Sequence, residues 1–382
     1  MRFIKAARLA KAVLAKAVLA TTVISTSATL AKADVKVVAS IKPVHSLVAT
    51  VMQGVGAPDL IVEGAASPHT YSLKPSQARQ LQEADLVFWI GQELEAFLEK
   101  PIDGIATGAT IISLLDSHGL TKVTFRDGGA FDDHGHDTKH DDHGHDAKHD
   151  DHGHDAKHDD HGHDETHDDH GHDEKHDDHG HDEKHDDHGH DAKHDDHGHD
   201  EKHDDQGHDG FDPHVWLDPV NAKAIIHEIK EALSEADPDN AAAYAANASS
   251  ALGRLDSLVT EIKAELQPVK GRGYIVFHDA YRYFETRFGM TATGSITVSP
   301  EVLPGAERVA ELQEKVRHLK ATCVFAEPQF KPKLVATVTE NTDAGTGVLD
   351  PLGTLIDDGP ELYFTLIRNM TRSLKDCLTR TG

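Results

Sequence analysis

Histidine is the residue type through which this sequence could do chemistry. Of its 32 histidines, 25 lie between Asp132 and Asp209, in a nine-residue unit, D-D-H-G-H-D-x-K-H, with eight full copies and a degenerate ninth. Imidazoles that are neutral near pH 7 bind Zn, Cu and Ni, and the neighbouring carboxylates attract divalent cations. The H-G-H and K-H-D-D-H spacings let one short loop supply several ring nitrogens. In the first copies these belong to His134, His136, His140, His143 and His145.

The same repeat offers no side chain for a folded core. A calcium-binding β-roll also repeats every nine residues, but it needs an apolar residue in each copy, and none is present here. We therefore predict a metal-binding insertion at residues 132–209 that is disordered without a ligand. The alternative is an acidic spacer that keeps the protein soluble, although aspartate alone would serve that purpose.

Seven histidines lie outside the repeat, and three of them occupy positions where binding sites form. His278 follows the apolar run "GYIVF", while His69 and His214 lie in short connections, "ASPHTYSLKPS" and "DPHVWLDP". Asp350 follows "GTGVL" in the same way. Ligands of open α/β sheets bind beyond the carboxyl ends of the strands, so these four side chains are candidate metal ligands in a cleft.

The other four histidines are weaker candidates. His118 lies at a predicted helix end, and His227 and His318 lie in charged helical patterns and are expected to be solvated, so a structural role is expected for all three. His45 lies close to the end of the first strand but on an otherwise apolar helical face. Its role stays open at this point.

The elements that must position these residues alternate between short apolar strands and helices. This alternation predicts an α/β fold with parallel strands. Between the two alternating stretches, "DPDNAAAYAANASSALGRLDSLVTEIKAELQPVKG" predicts one long helix, opened by Asp237-Pro238 and closed by Pro268. We predict two lobes joined by this helix. The segments are an N-terminal lobe of residues 34–131 and 210–236, a linking helix at 237–268 and a C-terminal lobe at 269–382.

Composition limits the surroundings and the partners. The repeat contributes −24 of the net charge of −28, so the remainder is mildly acidic and has no basic face for nucleic acid. Residues 1–33 carry Arg2, Lys5 and Arg8 before an Ala-, Leu- and Val-rich run and end in Ala-Lys-Ala, as a signal peptide cleaved near Ala33 does. In an oxidising compartment Cys323 and Cys377 would form a disulfide, with a two-thiolate zinc site as the alternative.

Five segments together resemble the zinc-specific substrate-binding proteins of bacterial ABC transporters, the ZnuA type. They are "SPHTYSLKPSQARQLQEADLVFWIG", "HVWLDP", "FHDAYRYFETRFG", "CVFAEPQF" and "LDPLG", in this order along the chain. The resemblance implies a periplasmic protein with two pseudo-symmetric lobes joined by a rigid helix. It further implies capture of Zn²⁺ for an inner-membrane permease driven by a cytoplasmic ATPase, and we expect a monomer.

Carried over motif by motif, the resemblance places the metal ligands on His69, His214 and His278, with Asp350 at the family's carboxylate position. It also pairs Cys323 with Cys377. Some relatives carry an acidic residue immediately before the first ligand histidine, whereas Pro68 stands here. The fourth ligand is therefore expected to be Asp350 or water.

Metal choice and function class follow from this ligand set. Three imidazoles and one oxygen suit tetrahedral Zn²⁺ better than Mn²⁺, for which related proteins use two histidines and two carboxylates. A zinc hydrolase would also use three histidines and a water, with Glu327 as the one candidate base, but Asp350 would close such a site. A third possibility is a zinc buffer that acts through the repeat alone. We predict a binding protein, not an enzyme, with the repeat as an auxiliary zinc-collecting segment.

Overall fold

The computed structural model describes residues 35–126, 210–297, 300, 304–318 and 322–380. The predicted signal peptide (1–33) and the repeat (132–209), with all its histidines, lie outside these residues. Within them, no helix is both long and apolar enough to cross a membrane.

Two parallel four-stranded sheets form the framework. The first consists of β1 (Val37–Ala39), β2 (Asp59–Leu60), β3 (Leu86–Trp89) and β4 (Thr110–Ser113), in the order β2-β1-β3-β4. The second consists of β5 (Tyr274–His278), β6 (Gly294–Thr297), β7 (Cys323–Ala326) and β8 (Gly345–Val348), in the order β6-β5-β7-β8. The two orders are equivalent, which confirms the predicted fold class of two pseudo-symmetric α/β halves.

Helices connect the strands and cover the sheets. Those of the first half are α1 (Lys42–Val51), α2 (Pro75–Glu83), α3 (Ala96–Ile105) and α4 (Pro219–Ala236). After α5 (Ala241–Leu266), the second half contains α6 (Arg282–Phe288), α7 (Ala306–His318), α8 (Lys333–Thr339) and α9 (Leu362–Arg380). The side chain of Asp218 accepts a hydrogen bond from Val220 N, which explains why α4 begins where the sequence predicted.

The long helix α5 has 26 residues, or about 39 Å at 1.5 Å per residue. Its buried residues recur every three or four positions, which places them on one stripe of the helix. They are Tyr244, Ala248, Ala251, Leu255, Leu258, Ile262 and Leu266. This stripe packs on α1 and α4 from the first half and on α9 from the second. The helix thus contacts both halves, as a linking helix does, and the exact domain boundaries stay predictions.

Two elements were not predicted from the sequence, β2 and α3. β2 has only two residues, and α3 contains Pro101, which interrupts helical hydrogen bonding. Both therefore give weak signals in a sequence.

The two cysteines form the disulfide that the resemblance implied. Cys323 in β7 and Cys377 in α9 are bonded, with their Cα atoms 6.1 Å apart, and both side chains are buried. The alternative of a two-thiolate zinc site is therefore wrong. The bond closes a loop between residues 54 positions apart and fastens α9 to the second sheet.

Candidate metal centre

Three histidines meet where the two halves contact one another. His278 is the last residue of β5, at the carboxyl end of the strand. His214 precedes a 3₁₀ turn (Val215–Leu217) that leads into α4, and His69 lies in another 3₁₀ turn (Pro68–Thr70). Each predicted histidine thus reaches the site from a different connection.

The ring nitrogens of these histidines lie close enough to share one ion. One ring nitrogen from each histidine lies within 4.8 Å of one from each of the other two. Among the described residues, a search for three or more potential metal ligands this close together identifies these three histidines. The Nε2 atoms of His214 and His278 are 3.4 Å apart. Two nitrogens bound to one tetrahedral Zn²⁺ at 2.0–2.1 Å are separated by about 3.4 Å, so this pair already has the required spacing.

Buried carboxylates hold the opposite nitrogen of two of the rings. The Nδ1 atom of His214 lies 2.7 Å from Asp212 Oδ1, and that of His278 lies 2.8 Å from Glu327 Oε1. When the carboxylates are ionised they only accept hydrogen bonds, so each Nδ1 donates its proton to the carboxylate and each Nε2 faces the other ring. Such pairs fix the tautomer and raise the basicity of metal-binding histidines.

The pKa values of the three histidines are shifted by burial and by their closeness to charged and polar neighbours. Burial, followed by the neighbouring imidazoles, lowers the pKa of His69 to about 2. Burial and then His278 lower the pKa of His214 well below its usual value. Burial also opposes a charge on His278, but the carboxylate of Glu327 outweighs it, so the pKa of His278 is raised. Two lone pairs cannot face one another without a cation between them, and a proton on His278 or a metal ion meets that need.

A small cavity adjoins the three rings. Its volume is about 10 Å³, which is room for one water molecule. Trp216 and Phe330 contribute apolar walls, and Pro351 lies at the same cavity. The indole nitrogen of Trp216 donates to the carbonyl of Pro351 at 2.8 Å, so the loop after β8 is fixed against the segment that carries His214.

Asp350, the predicted carboxylate ligand, is not part of the three-histidine group. Its oxygens accept hydrogen bonds from the backbone N–H groups of its own loop, at 2.6–3.1 Å, and from two side chains. The donors are the N–H groups of Leu352, Gly353 and Thr354, the hydroxyl of Thr354 and the amide of Gln329. Direct ligation by Asp350 thus stays a prediction, and it would require some of these bonds to break.

The four remaining histidines within the described residues lie away from this centre. His227 and His318 are exposed, as predicted, and His118 is exposed as well. His45 is buried, and its Nε2 atom bonds to the carbonyl of Pro58 at 3.0 Å. The open question about His45 is therefore answered by a structural hydrogen bond inside the first half.

Two residues have roles that the sequence did not assign to them. Glu327, the candidate base, forms a hydrogen bond with Nδ1 of His278, the ring nitrogen that faces away from the other two histidines. Asp212 was not singled out, although its place two residues before His214 in "DPH" was a usable signal. Burial raises the pKa of Asp212 to about 7.

The fold places three candidate metal ligands where two α/β halves contact one another. Residues 37–377 match the family model described as zinc-uptake complex component A, periplasmic (ZnuA). The chain therefore belongs to the ZnuA family, which confirms the resemblance found in its sequence motifs.

Known relatives match over nearly their whole length. The chain is 51% identical to the high-affinity zinc uptake system protein ZnuA of Brucella suis biovar 1 (strain 1330), over 90% of this chain and 92% of that protein. It is 40% identical to the protein of the same name from Paracoccus denitrificans (strain Pd 1222), over 92% and 94%.

Solved structures share the fold. A crystal structure of ZnuA superposes with a TM-score of 0.61 at 21% identity, over 89% of this chain and 99% of that one. A zinc-bound deletion mutant of ZnuA gives a TM-score of 0.62 at 20% identity, over 90% and 97%.

Removal of either buried carboxylate tests whether it supports the centre. We expect Glu327→Ala and Asp212→Ala each to lower zinc affinity by about 10- to 100-fold. The reason is that the histidine bonded to the removed carboxylate is no longer held in one tautomer. Competition with a coloured chelator measures this loss. Glu340→Ala, on an exposed glutamate, is the matched control. Equal affinity in all four proteins would contradict the assigned role.

Proposed function

We propose that this chain captures Zn²⁺ in the periplasm and delivers it to an inner-membrane ABC permease driven by a cytoplasmic ATPase. His69, His214 and His278 hold the ion. The observation that carries this proposal is the 3.4 Å separation of two Nε2 atoms whose opposite nitrogens are held by carboxylates. The names of the ZnuA relatives support the choice of zinc and of an uptake system.

The donor set itself favours zinc. Three imidazole nitrogens, two of them already at tetrahedral spacing, suit Zn²⁺, whereas Mn²⁺ prefers more oxygen ligands. Cu²⁺ binds nitrogen ligands at least as strongly, so selectivity for zinc in the cell rests on geometry and metal availability.

Catalysis is the less favoured proposal. A hydrolase needs a base near the metal-bound water. Glu327, the candidate, lines the cavity, but its Oε1 atom bonds to the far nitrogen of His278, which favours a role in holding that ring over a role as a base. We therefore propose a monomeric binding protein without enzymatic activity.

The repeat at residues 132–209 is proposed as an auxiliary segment that collects zinc. Its 25 histidines support this role, and the repeat lies outside the described residues. On this proposal the whole chain binds several ions, of which one is held much more tightly than the others.

Single substitutions test the assignment of the tight site. We expect His69→Ala, His214→Ala and His278→Ala each to weaken the tightest zinc site roughly 100-fold or more, because loss of a ligand exceeds the cost of losing its outer partner. His227→Ala and His318→Ala, on exposed histidines, serve as controls. Calorimetric titration measures both affinity and stoichiometry. A tight site that survives all three ligand substitutions would refute the proposal.

Zinc affinity should depend on pH in a defined direction. His69 and His214 stay neutral in mildly acidic solution because their pKa values are lowered, whereas the pKa of His278 is raised. Binding must displace the proton of His278, and it favours ionisation of Asp212, whose pKa is about 7. We expect affinity to fall with decreasing pH, with one to two protons released per ion rather than three. Titrations in buffers of different protonation enthalpy count these protons, and constant affinity from pH 7.5 to 5.5 would contradict histidine ligation.

A further inference from the structure

Gln329, in the loop after β7, lines the same small cavity as the three histidines. Its Oε1 atom is buried and accepts no hydrogen bond from the described residues. The hydroxyl of Ser67, which lines the same cavity, is also buried without a partner among them. The Oε2 atom of Glu327 is a third buried oxygen at this cavity without a partner in the described part of the chain. Buried polar atoms are almost always paired, so three unpaired oxygens at one cavity point to a ligand that meets them there.

The orientation of the Gln329 amide is determined by its neighbours. Its Nε2 atom donates to Asp350 Oδ1 at 3.1 Å and to the hydroxyl of Thr354 at 2.9 Å. An ionised carboxylate accepts only, so the amide NH₂ group must face Asp350 and the amide oxygen must point away from it. Asp350 therefore fixes the direction of Oε1.

Asp350 is itself held firmly enough for this task. Three backbone N–H groups of the loop that follows it donate to its carboxylate, at 3.1, 3.0 and 2.6 Å. The carboxylate is thus a fixed acceptor behind Gln329, and it does not line the cavity itself.

The space available fits an ion together with one water molecule. Zn²⁺ lies 2.0–2.1 Å from its nitrogens, closer than a water molecule can approach them. The ion would therefore lie between the imidazoles, and the water-sized space of about 10 Å³ is left for a fourth, oxygen ligand.

We infer that Gln329 holds this fourth ligand, a water molecule bound to the ion, by accepting a hydrogen bond at Oε1. Ser67 provides a second contact to the same water, and Asp350 acts through Gln329 as a positioning residue. The inference rests on the proposed function, because it needs zinc at the three histidines.

Co²⁺ in place of Zn²⁺ gives a test with a spectroscopic readout, because its visible spectrum reports coordination and ionisation of bound water. The full chain is loaded with less than one equivalent, and the spectrum of a His278→Ala chain is subtracted to remove binding elsewhere. A hydrogen bond from the metal-bound water to Gln329 Oε1 stabilises H₂O more than OH⁻, because hydroxide is the poorer donor. This bond therefore raises the pKa of the bound water. We expect Gln329→Met to move the midpoint of the spectral change with pH to lower values, and to weaken zinc binding about three- to tenfold.

Asp350→Asn separates positioning from direct ligation. Its side-chain oxygen still accepts from Gln329, so we expect less than a threefold change in zinc affinity and an unchanged spectral midpoint. A loss of 100-fold or more would show that Asp350 binds the ion directly and would overturn the inference. An unchanged midpoint and affinity in Gln329→Met would overturn it as well.

Failure of the proposed function has a different signature. In that case the His278→Ala chain and the unmodified chain would give the same Co²⁺ spectrum and the same zinc affinity. If Gln329→Met has no effect but His278→Ala still abolishes the spectrum, only the role of Gln329 is wrong and the three-histidine site stands.

Discussion

The site depends on one interaction, the close approach of Nε2 of His214 to Nε2 of His278 in two rings whose orientation is fixed. Asp212 and Glu327 bond to the rear nitrogens of His214 and His278, and burial keeps water from separating the rings. The two lone pairs that result need a cation between them. On the proposed function, the affinity of this centre for a metal ion comes from how the carboxylates and the fold constrain neutral ligands, and a proton competes with the ion.

Contacts between the two halves keep this arrangement in place. Arg287 of the second half bonds to both carboxylate oxygens of Asp218 at 2.7 Å, close to His214 in the chain. The hydroxyl of Tyr283 donates to the carbonyl of Asp212 at 2.7 Å. The short segment that carries His214 is thus bonded to the opposite half on both sides of the histidine. Movement of one half against the other would break these bonds together with the site.

Much of this could be predicted from the sequence, for identifiable reasons. Parallel strands give continuous apolar runs, and a helix of 26 residues gives a long unbroken pattern, so the sheets and α5 were predicted. The three histidines that meet in the structure could be singled out because each lies in a connection or at a strand end. Asp212 was missed although its bond to His214, two residues away, is local. Gln329 and Ser67 were missed because segments far apart in the chain bring them to the cavity, and β2 was missed because two residues carry no pattern.

X-ray absorption at the zinc edge tests the central claim most directly. The full chain, loaded with half an equivalent of zinc so that only the tightest site fills, should show three imidazole nitrogens and one oxygen at 2.0–2.1 Å. The His278→Ala chain should lose this signature. A tight site with fewer than three imidazoles, or the same spectrum in both chains, would contradict the convergence of His69, His214 and His278 on one ion.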